Sequence, residues 1–206
     1  MVTVQSHVER AGSVDDILPA LDRIGTQLRR DLGESLGTIR QASRPLPDVT
    51  TASLEALKAY AEAKRLWSKG QHREAEQLYH TALRHDAQFA MAHAALGSAY
   101  YSHIFNSPSR GQQHFEKALA LADRTTERER LDIQATAQSS RGHTAAAEPS
   151  YRLYLERYPD DVRMRYNYGN LLMSAQRCTE AVAHFREVVR MEPSSASGHI
   201  NLATCL

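Results

Sequence analysis

Apolar positions recur along this chain with a helical period, three and four residues apart, and not with the alternation of a strand. In the N-terminal part Leu21, Ile24, Leu28, Leu32, Leu36 and Ile39 follow that spacing, which predicts an amphipathic helix within residues 13–43. It is expected to start near Asp15 or Asp16, either of which can cap it. Pro19 then falls in the first turn, where its missing N–H has no partner to lose. Gly33 and Gly37 weaken the second half, so fraying is expected after Leu36. Arg23, Gln27, Arg30, Asp31 and Glu34 make a charged opposite face that reads as solvated. Residues 1–12 are short and polar and are expected to be loose. Residues 44–52 hold Pro45 and Pro47, which push their neighbours toward extended backbone and mark a linker.

Beyond the linker, over residues 53–206, the helical pattern becomes a repeat. Ala75, Gly111, Ala147 and Ala181 are each followed four places later by an aromatic residue: Tyr79, Phe115, Tyr151 and Phe185. The small residues stand 36, 36 and 34 positions apart. Helical pairs are predicted at 54–69 with 72–85, 89–103 with 109–122, 128–140 with 144–157 and 162–175 with 179–191. Gly70 and Gly142 turn the first and third pairs, and one further helix begins at Ser195. Ser107-Pro108 reads as a cap followed by proline at the first helical position, and Asp160-Asp161 also reads as a cap. These pairs define repeats at about 54–87, 88–125, 126–160 and 161–194, with a partial unit at 195–206. Small residues are needed where helices cross. Ala63, Gly97, Ala135 and Gly169 on the first helices match those on the second, and all are assigned to the core with the four aromatics.

The clearest unit, residues 162–193, carries Tyr168-Gly169, Leu172, Ala181, Phe185 and Pro193, and residues 88–125 carry Leu96-Gly97 and Tyr100. On these motifs the chain resembles the tetratricopeptide repeat family, over roughly residues 54–206. His93 and Arg165 stand where the pattern prefers Trp, and Ala87 and Asp123 where it prefers Pro. The first and third repeats lack the Leu-Gly pair. The resemblance implies an all-α fold, a right-handed superhelix of helical hairpins preceded by the amphipathic helix. It also implies a concave groove that holds an extended peptide or a partner's helix. A narrower resemblance rests on Leu21-Asp22-Arg23, Leu32 to Leu36, Pro45-Leu46, Ser53 to Tyr60, Glu127 to Leu131 and Tyr158-Pro159. These are similar to repeat arrays that follow a serine/threonine kinase or a winged-helix regulator in bacterial signalling proteins. That implies a sensory or scaffold segment. Kinase activity is not carried over, because no Gly-rich loop, His-Arg-Asp or Asp-Phe-Gly motif is present.

With the core face assigned, the opposite stripe of each first helix lines the groove. It holds Tyr60, Lys64 and Trp67; Ala94, Ser98 and Tyr101; Asp132, Thr136 and Ser139; and Tyr166, Asn170 and Met173. Arg163, Asn167 and Asn201 flank it, offering donors suited to a peptide backbone or a carboxylate. The competing reading is a solvated stripe with Trp67 and Tyr101 packed on neighbouring helices. A carboxylate clamp is disfavoured, since Tyr60, Ala94 and Asp132 are not the Lys and Asn set it needs, and Asp132 and Glu129 would repel an acidic tail.

Charge narrows the partners. The formal net charge is +1 with both signs interspersed, which lacks the basic field that nucleic acid or an anionic membrane requires. The first ten residues have no apolar signal core and no run is long enough to span a membrane. Two cysteines, Cys178 and Cys205, make no disulfide framework and fit a reducing compartment, so a cytoplasmic protein is expected. Cys178 is assigned to a small apolar repeat position. The ten histidines scatter without metal-ligand spacing; His80 and His85 point to different sides of a helix. No catalytic motif, metal site or cofactor site is expected. The leading reading is a non-enzymatic interaction scaffold for a protein or peptide. The alternatives are a segment of a larger signalling enzyme or transcription regulator, and self-association through an uncapped end at Leu202 and Ala203.

Overall fold

The computed structural model describes residues 8–13, 16–31 and 51–206. Ten α-helices and one 3-10 turn stand among the described residues, and no strand. Helix α1 (Ile17–Asp31) has Pro19 in its first turn, and the Ser13 hydroxyl donates to Asp16 at 2.9 Å just before it. Its apolar stripe is only partly covered: Ile24 is half-buried, while Leu21 and Leu28 are 49% and 44% exposed. Asp15, the stretch with Leu32, Gly33, Leu36, Gly37 and Ile39, and the prolines of the linker lie outside the described residues, as do residues 1–7.

From residue 54 the chain is a series of hairpins. They are α2 (Leu54–Ser68) with α3 (His72–His85), α4 (Ala90–Tyr101) with α5 (Pro108–Leu121), α6 (Glu127–Ser140) with α7 (Thr144–Arg157), and α8 (Val162–Ser174) with α9 (Cys178–Met191). A 3-10 turn, Ala122–Arg124, follows α5, and α10 (Ala196–Cys205) packs on α9.

Helix starts are chemically marked. Ser53, Asp161 and Ser195 accept from the backbone N–H of Ala56, Met164 and Gly198 at 3.1, 3.0 and 3.3 Å. Thr126 and Glu129 form a reciprocal capping box at the start of α6. Pro108 occupies the first position of α5 as expected, but the Ser107 hydroxyl makes no capping bond. The hairpin turns need a left-handed residue. Gly70 and Gly142 supply it at φ +79° and +75°, and in the fourth hairpin Gln176 takes φ +60° without a glycine.

The core is built as the repeat spacing requires. Tyr79, Phe115, Tyr151 and Phe185 are buried, and so are the eight small residues at the helix crossings. A Cβ on Gly97 would lie 2.8 Å from the Phe115 ring, and one on Gly169 2.7 Å from Phe185. In these two hairpins the ring of the second helix thus fills the space that the glycine leaves on the first. Successive hairpins are tied by polar bridges as well. Arg128 donates to Tyr154 and to Asp161, and Tyr154 donates to Asp161, at 2.7–2.8 Å. Arg177 donates to Glu148 at 2.8 Å, and that guanidinium holds the Glu148 carboxyl down at about 2.

Candidate functional site

The first helices α4, α6 and α8 together line an open recess of about 360 Å³. Its lining includes Ser98 from α4, Thr136, Ser139 and Ser140 from α6, and Asn167, Asn170 and Ser174 from α8. Tyr151 and Leu171 complete it, and no charged side chain is among the lining. Thr136 spends its hydroxyl proton on the Asp132 carbonyl at 2.7 Å, and Ser174 on that of Leu171 at 2.8 Å. Ser139 and Tyr151 share a hydrogen bond of 3.1 Å. Burial pushes the Tyr151 phenol up to about 12, so it stays a neutral donor and acceptor at physiological pH. The side chains of Ser98, Ser140 and Asn167 make no hydrogen bond to another described residue. A recess of neutral hydroxyls and amides with spare donors and acceptors suits a peptide main chain, which presents both in alternation.

Of the fifteen residues predicted for the groove and its flanks, Ser98, Thr136, Ser139, Asn167 and Asn170 therefore meet at one cavity. Asn170 is joined by Asn201 of α10, which donates to its Oδ1 at 2.7 Å and to the Tyr166 hydroxyl at 3.2 Å. Tyr166 leans on Phe185 and forms the end of this wall. Three others serve packing. Tyr60 lies between the rings of Tyr79 and Phe89, with centroids 5.8 and 4.9 Å away, and Lys64 sits exposed above it. Trp67 packs against His72 and Phe105, and Tyr101 lies over Gly111 and Phe115.

Asp132 and Arg163 are a correction to the expected electrostatics. Asp132 is buried at 8% exposure and accepts from Arg163 at 2.5 Å, so it presents no free charge to an acidic tail. Burial disfavours the Arg163 charge, but Asp132 outweighs it and holds the guanidinium well above its ordinary range. Arg163 is thereby committed to Asp132, although 45% of its side chain stays exposed. Ser140, Tyr151, Leu171 and Ser174 are lining residues that the helical stripe missed. Ser174 follows Asn170 by four positions, a spacing that marks it; Tyr151 was assigned wholly to the core.

One further reading is overturned and one is extended. Cys178 and Cys205 form a disulfide, with Cα atoms 4.9 Å apart, so the reading of Cys178 as a small apolar filler fails. The histidines do not all scatter: His80, His93 and His114 converge from α3, α4 and α5 on a recess of about 510 Å³. Nδ1 of His93 and Nδ1 of His114 are 3.0 Å apart, and Nε2 of His93 is 3.2 Å from the Ala87 carbonyl. Because a carbonyl only accepts, His93 carries its proton on Nε2 and its Nδ1 accepts from His114. No group of three or more His, Cys, Asp or Glu among the described residues is placed to hold a metal ion. No helix among them is long and apolar enough to cross a membrane.

Comparison with known proteins agrees with this architecture. A tetratricopeptide repeat model matches residues 60–103 and 134–196. A tetratricopeptide repeat protein from Parabacteroides merdae ATCC 43184 is similar in structure, with 18% identity and a TM-score of 0.52, over 92% of this chain and 71% of that one. YrrB, described as a TPR protein with an unusual peptide-binding site, aligns at 22% identity and a TM-score of 0.43 over 73% of this chain and 75% of its own. MamA of AMB-1 aligns at 19% identity and a TM-score of 0.45 over 74% and 88%. No curated protein matches the chain. With the repeat model covering more than half of the sequence and the hairpins packed as its spacing requires, the chain belongs to the tetratricopeptide repeat family.

Proposed function

We propose that this chain is a non-catalytic interaction scaffold that holds an extended, uncharged stretch of a partner protein against the wall formed by α4, α6 and α8. The observation that carries this reading is the neutral polar cavity. Three successive repeats each contribute side chains to it, and none contributes a charge. Hydroxyls and amides of this kind bind backbone amides without demanding a particular side-chain charge. A clamp for a carboxylate tail is not favoured, because Arg163, which flanks the stripe, is already paired with Asp132. Membership of the family supports a protein or peptide as the ligand class.

On the narrower resemblance quoted from Leu21 to Tyr60 and from Glu127 to Pro159, we further propose that such a scaffold serves bacterial signalling, as one segment of a larger regulatory protein. Reading the surrounding gene for a kinase or DNA-binding segment decides that point. Self-association is a further reading. Leu202 is half-buried on the core, and the exposed apolar side chains nearby are Ile200 and Leu206, at 64% and 79% exposure, with Ala203. Light scattering that stays monomeric at high concentration would remove it.

The test of the groove is selection of peptides from a random display library on the immobilised chain. Asn167→Ala with Asn170→Ala is expected to weaken selected peptides at least about tenfold, the equivalent of about 1.4 kcal/mol, with unchanged helical circular dichroism. Peptides that bind the double variant as well as the parent would show that they sit elsewhere.

A further inference from the structure

Helix α10 is held to the array by a small buried face against α9, two side-chain hydrogen bonds to α8 and one covalent bond. Gly198 is its only buried residue; Asn201, Leu202 and Cys205 are half-buried, and the other residues are exposed. Gly198 sits against Val188, and Leu202 and Cys205 pack on the α6–α9 core. A ten-residue helix with so small a buried face is marginal without help. The help is the disulfide between Cys205, the last residue of α10, and Cys178, the first residue of α9. Between those anchors, Asn201 reaches the groove and donates to Asn170 and Tyr166.

We propose that the Cys178–Cys205 disulfide is a thiol-controlled latch: oxidised, it pins α10 against α8 and α9, and reduced, it frees α10 and uncovers Asn170 and Tyr166. The latch itself follows from the packing of α10; its effect on ligand access rests on the groove reading above. The chemistry is exchange with a thiol reductant of the glutathione or dithiol class. A reductant thiolate attacks Sγ of Cys205, and the electron pair of the S–S bond leaves on Sγ of Cys178. Cys178 suits that role because it opens a fourteen-residue helix, whose N-terminal N–H groups stabilise a thiolate. A second reductant thiolate then resolves the mixed disulfide, giving two cysteine thiols and one oxidised reductant. Two electrons pass from the two reductant thiols to the protein disulfide, and protons from solvent neutralise thiolates as their pKa values dictate.

Reduction changes the groove by more than loosening a terminus. When α10 leaves, the Asn170 carbonyl oxygen and the Tyr166 hydroxyl lose their donor, and two acceptors become available beside the neutral cavity. Oxidation closes that end with Asn201, so the two redox states present recesses of different length.

The test uses the full chain and needs no partner. Hydrogen exchange by mass spectrometry is followed with and without millimolar reduced glutathione, while alkylation counts free thiols. The expected result is no alkylation in the oxidised chain and two alkylated cysteines after reduction. Exchange in residues 196–205 then rises at least about tenfold, with residues 54–157 unchanged, and oxidised glutathione reverses the change. Cys178→Ser should exchange like the reduced parent and ignore both reagents. Three results would each overturn the latch: unchanged protection of 196–205 after both thiols are freed, faster exchange spread over the whole array, or a disulfide that glutathione does not reduce. Loss of peptide selection with an intact exchange response would instead count against the groove alone.

Discussion

Each repeat depends on a glycine or alanine meeting a ring. The Gly97–Phe115 contact sets two known effects against each other. Replacing a helical glycine by alanine favours the helix by about 1 kcal/mol. The new methyl would lie 2.8 Å from the Phe115 ring, and overpacking of this kind costs about 1–3 kcal/mol. Gly97→Ala is therefore expected to lower stability, by up to about 2 kcal/mol, in a denaturant titration. A stabilised variant would mean that the ring yields freely. These small–aromatic pairs were legible in the sequence because their four-residue spacing is local. The burial of Asp132 was not, since its partner Arg163 comes from the next repeat.

Helix ends were legible for the same reason that they form: caps, prolines and left-handed turns act within a few residues. One helix departs from its local preference. Pro149 is the sixth residue of α7, where the missing N–H removes one backbone bond to the preceding turn. Proline costs about 3 kcal/mol against alanine in a helix interior, and the looser unfolded chain of the alanine variant returns up to about 1. Pro149→Ala is expected to raise stability by about 2 kcal/mol, read as a higher midpoint in urea. Gln176 offers a second case. It holds φ +60° at a position where the first and third hairpins use glycine, so Gln176→Gly is expected to gain about 1 kcal/mol.

Acid should affect the array unevenly along its length. His80, His93 and His114 all have lowered pKa values, chiefly through burial. In His114 the neighbouring His93 and His80 add to it, and its pKa falls to about 4. Lys117 and Arg110 oppose protonation there and Arg84 does so at His80, while Glu76 and Asp86 favour it at His80 and His93. A histidine that resists protonation when folded leaves stability intact above its unfolded pKa of 6.5. As pH falls from there toward 4, the unfolded chain takes up protons that the folded chain refuses, and stability declines. Glu148 acts in the same direction at lower pH: its lowered pKa supports the fold above 4.5, and that support is lost between 4.5 and about 2. The hairpins around α3–α5 should loosen first. The single tryptophan, Trp67, packs beside them against Phe105 and reports it. Its fluorescence is expected to change at higher pH than the helical circular dichroism; coincident transitions would show one cooperative unit.

What the sequence determined alone is whatever lies within one turn or one repeat: the helical period, the caps, the glycine turns and the small residue four places before each ring. These interactions span few residues, so spacing along the chain reports them directly. Tertiary structure decided which residues from different repeats meet. It gathered Ser98, Thr136, Asn167 and Asn170 around one cavity, paired Asp132 with Arg163, clustered three histidines and joined Cys178 to Cys205. Those meetings depend on the angle at which each hairpin packs on the next. Many small contacts set that angle together, and no spacing of residue types within one repeat encodes it.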